Sequence, residues 1–336
     1  MRKQSRLLLL QVALILAAAI APYGAATAQD NALEMCLGRA ADMSPVYPTR
    51  VFPAGTKETY ATFRIPKGAP YKELQATWTV VDVERAPSPN LQIGTTTLAL
   101  KGHDRGSFNL EFPKPMPPGK YRFDVAADGK PWKSVEFEVA AKEPKAARSQ
   151  NEENLIPLQD GKVWTYSFVQ EAGEGARINL PDIKPGADGK YRATVTMKVA
   201  GTDENGTHVE MRRNDRLVFE EWWRLDKHGL TATQRKTGGE TITLTPPQVL
   251  WKLPLKTPVK WSYLPKDKSY RQIYSMWGPL PVKMQEGEAP GYVVLVDQGN
   301  TTVERHFVPE VGLVREIVIN ALGGDLLSRQ EMVLQK

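Results

Sequence analysis

The chain has 336 residues, 41% of them apolar, 24% charged and 8% aromatic, a composition that folds rather than one that stays disordered or forms a collagen repeat. Its 26 Pro and 26 Gly argue for many turns and against an all-helical fold, and its single Cys excludes a disulfide-stapled scaffold or a Cys-rich zinc site. The formal charge of +6 falls to +3 once residues 1–28, with three bases and no acid, are set aside, and the basic clusters Arg212-Arg213 and Lys266-Asp267-Lys268 are interrupted by acids, so no nucleic acid partner is expected.

Arg2, Lys3 and Arg6 precede an apolar run from Leu7 to Ala21 broken only by Gln11, and Ala26-Thr27-Ala28 places small residues before Gln29. This is a complete secretory signal with cleavage near Ala28. The run is shorter than the ~20 residues that cross a bilayer, and no later segment approaches that length, so the mature chain is expected to be periplasmic or secreted and not membrane-spanning. Cys36 follows Leu33-Glu34-Met35 in the outline of a lipobox, but Glu34 and Met35 stand where small residues belong. The spacing of Leu33, Cys36, Leu37 and Ala40 predicts a short helix over residues 31–41 within the N-terminal segment 29–43, with the thiol buried on its apolar face.

Residues 44–139 alternate with period two: Ala61, Phe63, Ile65; Ala76, Trp78, Val80; Tyr121, Phe123, Val125; Val135, Phe137, Val139. Half-buried strands read this way. Turn residues separate them at Pro66-Lys67-Gly68, Pro87-Ser88-Pro89-Asn90, Met116-Pro117-Pro118-Gly119 and Asp128-Gly129, at intervals that suit a sandwich of roughly seven short strands. The run from Phe112 to Phe123, with Gly119 and Tyr121 at a corner, together with Trp78 in an early strand, resembles bacterial immunoglobulin-like and fibronectin-like domains. That resemblance implies a fold and no reaction.

A polar connector, residues 140–154, reads AAKEPKAARSQNEEN and leads into a second module, residues 155–336. Here Pro157-Leu158 with Trp164 and Tyr166 matches Pro254-Leu255 with Trp261 and Tyr263, and Glu221 and Glu304 precede Gly229-Leu230 and Gly312-Leu313 by the same eight residues. The intervals differ, 57 residues from Trp164 to Glu221 against 43 from Trp261 to Glu304. Internal duplication with drifted loops is one reading and chance recurrence the other, and under the first each half is an antiparallel meander. Further strands are legible at residues 191–199, 208–212, 217–225, 241–244, 292–296, 311–319 and 326–334. The whole chain is therefore expected to be all-β, the second module a strongly curved antiparallel sheet or barrel, since flat sheets of that size are rare.

The segments Pro157 to Tyr166 and Phe307 to Val314 resemble poorly characterised bacterial envelope proteins, distantly similar to periplasmic lipoprotein carriers. Those carriers cover their sheet with helices, for which no pattern is present here, and Glu310 stands where the closing motif has Gly.

No constellation in the chain names a reaction. His103, His208, His228 and His306 show no helical or hairpin metal spacing, and His228 in a turn and His306 in a strand read as solvent-facing. There is no nucleophile elbow, no Ser-x-x-Lys and no phosphate loop, Gly238-Gly239 and Gly323-Gly324 being hairpin turns. The acids Glu220, Glu221, Asp226, Glu304 and Glu310 form a glycosidase pair only if two of them converge across a cleft at about 5–10 Å; adjacent Glu220 and Glu221 point to opposite faces. Six of the eight Trp lie in the second module. Trp164 and Trp261 are assigned to its interior, while Trp222, Trp223, Trp251, Trp277, Tyr270 and Tyr274 are the candidates for a ligand platform. The expectation is an exported, non-enzymatic envelope protein, without cofactor or metal, that binds a protein partner or an extended glycan or acyl ligand. A glycan-active enzyme and a purely structural envelope component are the alternatives.

Overall fold

The computed structural model describes residues 32–83, 88, 90–142, 156–237, 239–253, 255 and 257–335. The segment read as a secretory signal, most of the connector, Pro87, Pro89, Gly238 and Pro254 lie outside them. Among the described residues the chain is all-β.

The first module contains β1 (Ala32–Arg39), β2 (Pro45–Pro48), β3 (Val51–Phe52), β4 (Glu58–Arg64), β5 (Glu73–Val83), β6 (Leu91–Ala99), β7 (Arg105–Glu111), β8 (Gly119–Ala127) and β9 (Lys130–Val139). They form two sheets, β2-β1-β4-β7 and β3-β9-β8-β5-β6, antiparallel except where β3 runs parallel to β9. The inward residues are those the alternation selected. Trp78 packs on Phe123 at 4.6 Å and on Phe108 at 6.5 Å, and each such buried aromatic contributes about 1.5–3 kcal/mol. Gly119 opens β8 at φ 144°, where a Cβ would lie 2.4 Å from the carbonyl oxygen of Asp82. Tyr121 then donates its hydroxyl to the carbonyl of Pro117 at 2.6 Å, closing the corner.

Residues 32–41, the described part of the expected helix, are not helical. Residues 32–39 of this stretch form β1, paired with β2 on one side and β4 on the other, and Met35, Cys36, Leu37 and Gly38 are buried in succession. One face of β1 enters the sandwich and the other meets the second module, so two-sided burial erases the alternation that would have marked a strand. The thiol is buried as expected, and burial pushes it up to about 12.

Among the described residues the second module has twelve strands: β10 (Val163–Ala172), β11 (Tyr191–Asp203), β12 (Gly206–Arg213), β13 (Arg216–Asp226), β14 (Gly229–Thr237), β15 (Glu240–Lys252), β16 (Val259–Tyr263), β17 (Gln272–Met284), β18 (Gly287–Asp297), β19 (Thr301–Val308), β20 (Gly312–Leu322) and β21 (Asp325–Leu334). They make one sheet in the order β15-β14-β13-β12-β11-β10-β21-β20-β19-β18-β17-β16. Two six-stranded meanders thus join where the first strand of one pairs with the last strand of the other. The repeated frames fall on matching strands: Trp164 and Trp261 on the first of each six, Glu221 and Glu304 on the fourth, Gly229-Leu230 and Gly312-Leu313 on the fifth. The sheet curls until its ends meet. β15 and β16 share no ladder, but Lys266 N–H donates to Thr245 O at 2.8 Å and the Trp261 indole to Val249 O at 3.0 Å.

Large aromatics fill the interior of this nearly closed barrel, among them Trp164, Tyr166, Phe168, Trp251, Tyr292 and Phe307. A twelve-stranded sheet encloses more space than aliphatic side chains alone fill, which accounts for the aromatic richness of this half. The outer faces of β17, β18 and β20 are apolar as well, and Trp277, Val293, Leu295, Ile317 and Ile319 join the core of the first module. Polar bonds cross the same junction: Ala41 N–H to Thr302 Oγ1 at 3.1 Å, Tyr47 hydroxyl to Pro281 O at 2.9 Å, and the ion pair of Lys260 with Glu58.

His306 departs from its solvent-facing assignment. It is 6% exposed, its Nε2 lies 2.7 Å from Glu304 Oε1, and its ring is 6.2 Å from that of Tyr47. The first module covers this part of the barrel wall, so an outward position there is a buried one.

Candidate functional site

Where β1 and β4 meet β16, β17 and β18 the two modules leave a crevice of about 170 Å³. Gly38 lets β1 come close: a Cβ there would lie 2.9 Å from Leu295 Cδ2 and 3.5 Å from the Trp277 ring. Trp277 and Leu295 make an apolar floor, and Arg39, Glu58, Tyr60, Lys260, Ser275 and Asp297 the polar wall. Glu58 is engaged, accepting from Tyr60 at 2.7 Å and pairing with Lys260. Burial first, and next the hydrogen bond to Glu58, raise the Tyr60 phenol well above its ordinary range, so it is a protonated donor. Arg39 is half-buried, and its guanidinium makes no ion pair or side-chain hydrogen bond within the described residues. A guanidinium without an ion pair, beside an aromatic floor, has the chemistry to pair with a carboxylate or another planar anion.

The other sequence-selected aromatics are not gathered here. Trp223 and Tyr274 belong to a polar chain inside the barrel. The Trp223 indole donates to Glu221 Oε2 at 2.6 Å, Arg235 bridges Glu221 Oε1 at 2.6 Å to Gln248 Oε1 at 2.9 Å, and Gln248 Nε2 donates to Tyr274 Oη and Gln272 Oε1, both at 2.5 Å. This chain links β13, β14, β15 and β17 across the seam that lacks a ladder. Trp251 is core, edge-on to Phe307 at 4.3 Å. Tyr270 is exposed, 6.1 Å from Tyr263. Trp222 lies on the outer wall, stacked on His208 at 4.4 Å.

The five acids are dispersed likewise. Glu221 faces inward; Glu220 faces outward and pairs with Lys236 at 2.9 Å. Glu304 is on β19, six strands away from β13 in the sheet, Asp226 ends β13 and Glu310 lies within the turn before β20. What sequence spacing missed is a cross-strand grouping: one ring nitrogen of His208 and one carboxylate oxygen each of Glu210 and Glu220 lie within 4.8 Å of one another. The hairpin register, which pairs Glu210 with Glu220, makes this grouping, and the spacing of residues along one strand does not show it. A further cavity of about 330 Å³, lined by Met284, Val311, Val314 and Leu334 with Lys283 and Glu286 beside them, opens at the β17–β18 hairpin end of the barrel.

No protein-family model and no curated protein matches the chain. Among solved structures it is similar to a candidate lipoprotein from Parabacteroides distasonis, at 12% identity and a TM-score of 0.23, over 54% of this chain and 98% of that one. It is also similar to a candidate exported protein with a YmcC-like fold from Bacteroides fragilis, at 12% identity and a TM-score of 0.24, over 54% of this chain and 99% of that one.

Proposed function

We propose that the chain is an exported, non-catalytic envelope protein that binds a protein partner or an extended ligand at the crevice between its modules. The first module reads as an immunoglobulin-like sandwich: the strand order, the buried Trp78 and the Tyr121 corner support that assignment. Export rests on the residues of the secretory signal. The observation that carries the binding reading is Arg39, half-buried and without an ion pair among the described residues, in the same crevice as Trp277 at a module junction. The favoured ligand is a segment with an apolar group followed by a carboxylate, such as a peptide ending or an acidic side chain beside an aliphatic one.

The test uses two substitutions that leave the core intact, Arg39→Glu and Ile273→Glu, the latter at a side chain 43% exposed on the crevice wall. Wild type immobilised against envelope extract is expected to retain a partner that both variants lose, and a synthetic peptide of the retained segment should reproduce the difference. Equal retention by all three proteins would remove the crevice from the account.

A further inference from the structure

On the outer wall of the barrel, far along the sheet from the crevice strands, β12 and β13 bring together three groups that ordinary packing does not explain. Glu210 and Glu220 are direct cross-strand partners, and like charges so placed are destabilising. Each carboxylate is balanced by one flexible, half-exposed cation, Arg212 at 3.0 Å from Glu210 and Lys236 at 2.9 Å from Glu220. Beside them His208 has its Nε2 fully screened from solvent and bonded to no protein group, a cost that native structures rarely leave standing.

The imidazole is also held in place. His208 is the cross-strand partner of Trp222, and the two rings stack at 4.4 Å with 10° between their planes. The indole N–H of Trp222 is itself fixed by Asp203 Oδ2 at 2.9 Å. A ring clamped from one side, next to two opposed carboxylates, is the kind of outer support that orients metal ligands.

We propose that His208, Glu210 and Glu220 form a surface site for a borderline divalent cation, zinc foremost. One imidazole nitrogen and two carboxylate oxygens are a zinc donor set, and three protein ligands leave a position open to water or to a group from outside. The cation relieves the Glu210–Glu220 repulsion and displaces Lys236 and Arg212, whose side chains have room to swing into solvent. Hard cations such as Mg²⁺ gain nothing from the imidazole and discriminate poorly in its favour.

Calorimetric titration of the metal-free protein with Zn²⁺ tests the site. Wild type is expected to bind one equivalent that His208→Gln and Glu210→Gln each weaken at least tenfold. Lys236→Met, which removes a competitor and no ligand, is expected to tighten binding several-fold, a gain that no loss of fold produces. Titration with Co²⁺ should develop d–d absorption in wild type and not in His208→Gln, and His228→Gln serves as the control for unrelated histidine binding. The proposal is overturned if Zn²⁺ heats are the same in wild type and His208→Gln, if Lys236→Met does not tighten binding, or if Mg²⁺ at equal concentration competes as well as Zn²⁺.

Discussion

The indole N–H of Trp164 donates to the carbonyl oxygen of Val311 at 2.7 Å, and two residues on, the hydroxyl of Tyr166 donates to Leu313 O at 3.0 Å. The aromatic frame that opens the first meander therefore grips both sides of Gly312 in the second. Gly312 sits at φ 99°, and a Cβ there would lie 3.2 Å from Trp164 Nε1. The matching frame, Trp261-x-Tyr263, stands at the seam instead: its indole reaches Val249 O and its ring stacks on Tyr274 at 5.0 Å. One copy of the frame thus closes the ring where the meanders join, and the other lines the place where the ladder stops.

Trp164→Phe keeps most of the buried area but leaves the Val311 carbonyl unsatisfied, which costs about 1–3 kcal/mol. Gly312→Ala combines a strained backbone with contact on the indole and is expected to cost at least as much. Urea midpoints at unchanged slope would show both losses. A neutral Gly312→Ala would mean that the grip on this turn is not stabilising.

The corner at Tyr121 gives a second measurement. Tyr121→Phe removes one hydrogen bond while the ring stays stacked on Phe137 at 5.3 Å, a net loss of about 1 kcal/mol. Gly119→Ala is expected to be the worse change, because the added methyl meets the Asp82 carbonyl in a backbone region that L side chains rarely adopt. The ranking of the two midpoints, more than either value, tests whether the corner depends on the glycine.

Alternation carried the sequence reading wherever a strand has one wet face. Tyr121, Phe123 and Val125 were legible for that reason, and so were Trp164 and Tyr166, spaced by two on the barrel's inner side. It failed where both faces are dry. In β1, Met35 to Gly38 are buried in succession because one flank is the sandwich and the other the barrel wall, and the same cover buries His306. The crevice was legible only through Trp277, since Arg39 and Tyr60 reach it by tertiary packing. The His208, Glu210 and Glu220 grouping needed the hairpin register, and composition carries no trace of a register.

Alkaline pH should destabilise the protein. Burial raises Cys36 from 9.0 to about 12 and Tyr121 from 10.0 to about 12; burial and then Glu288 do the same for Tyr47. A group whose folded value lies above its unfolded one binds its proton more tightly when folded. Its stabilisation is complete below the unfolded value and is lost as pH rises through the folded one. The loss should begin near pH 9 and steepen between 10 and 12. Cys36→Ala should remove the part that starts at pH 9 and leave the tyrosine part in place. In the native protein the thiol should resist alkylation at pH 8 and react on unfolding; rapid native alkylation would contradict its burial in β1.

The shared core makes a sharper demand on cooperativity. Chains of this length with two modules often unfold in steps, yet Leu37 and Val46 of one module and Trp277, Val293, Leu295 and Ile317 of the other belong to one continuous apolar cluster. Neither module buries its own surface without its neighbour, so the two are expected to melt together, with calorimetric and van't Hoff enthalpies in agreement. Leu295→Ala cuts this contact where Gly38 approaches most closely and removes about 2–5 kcal/mol. Because the lost packing belongs to both modules, the whole transition should move to lower temperature as a single peak. Two resolved peaks in the wild type, or a Leu295→Ala shift confined to one of them, would show that the modules are stable apart and that the junction is only an apposition.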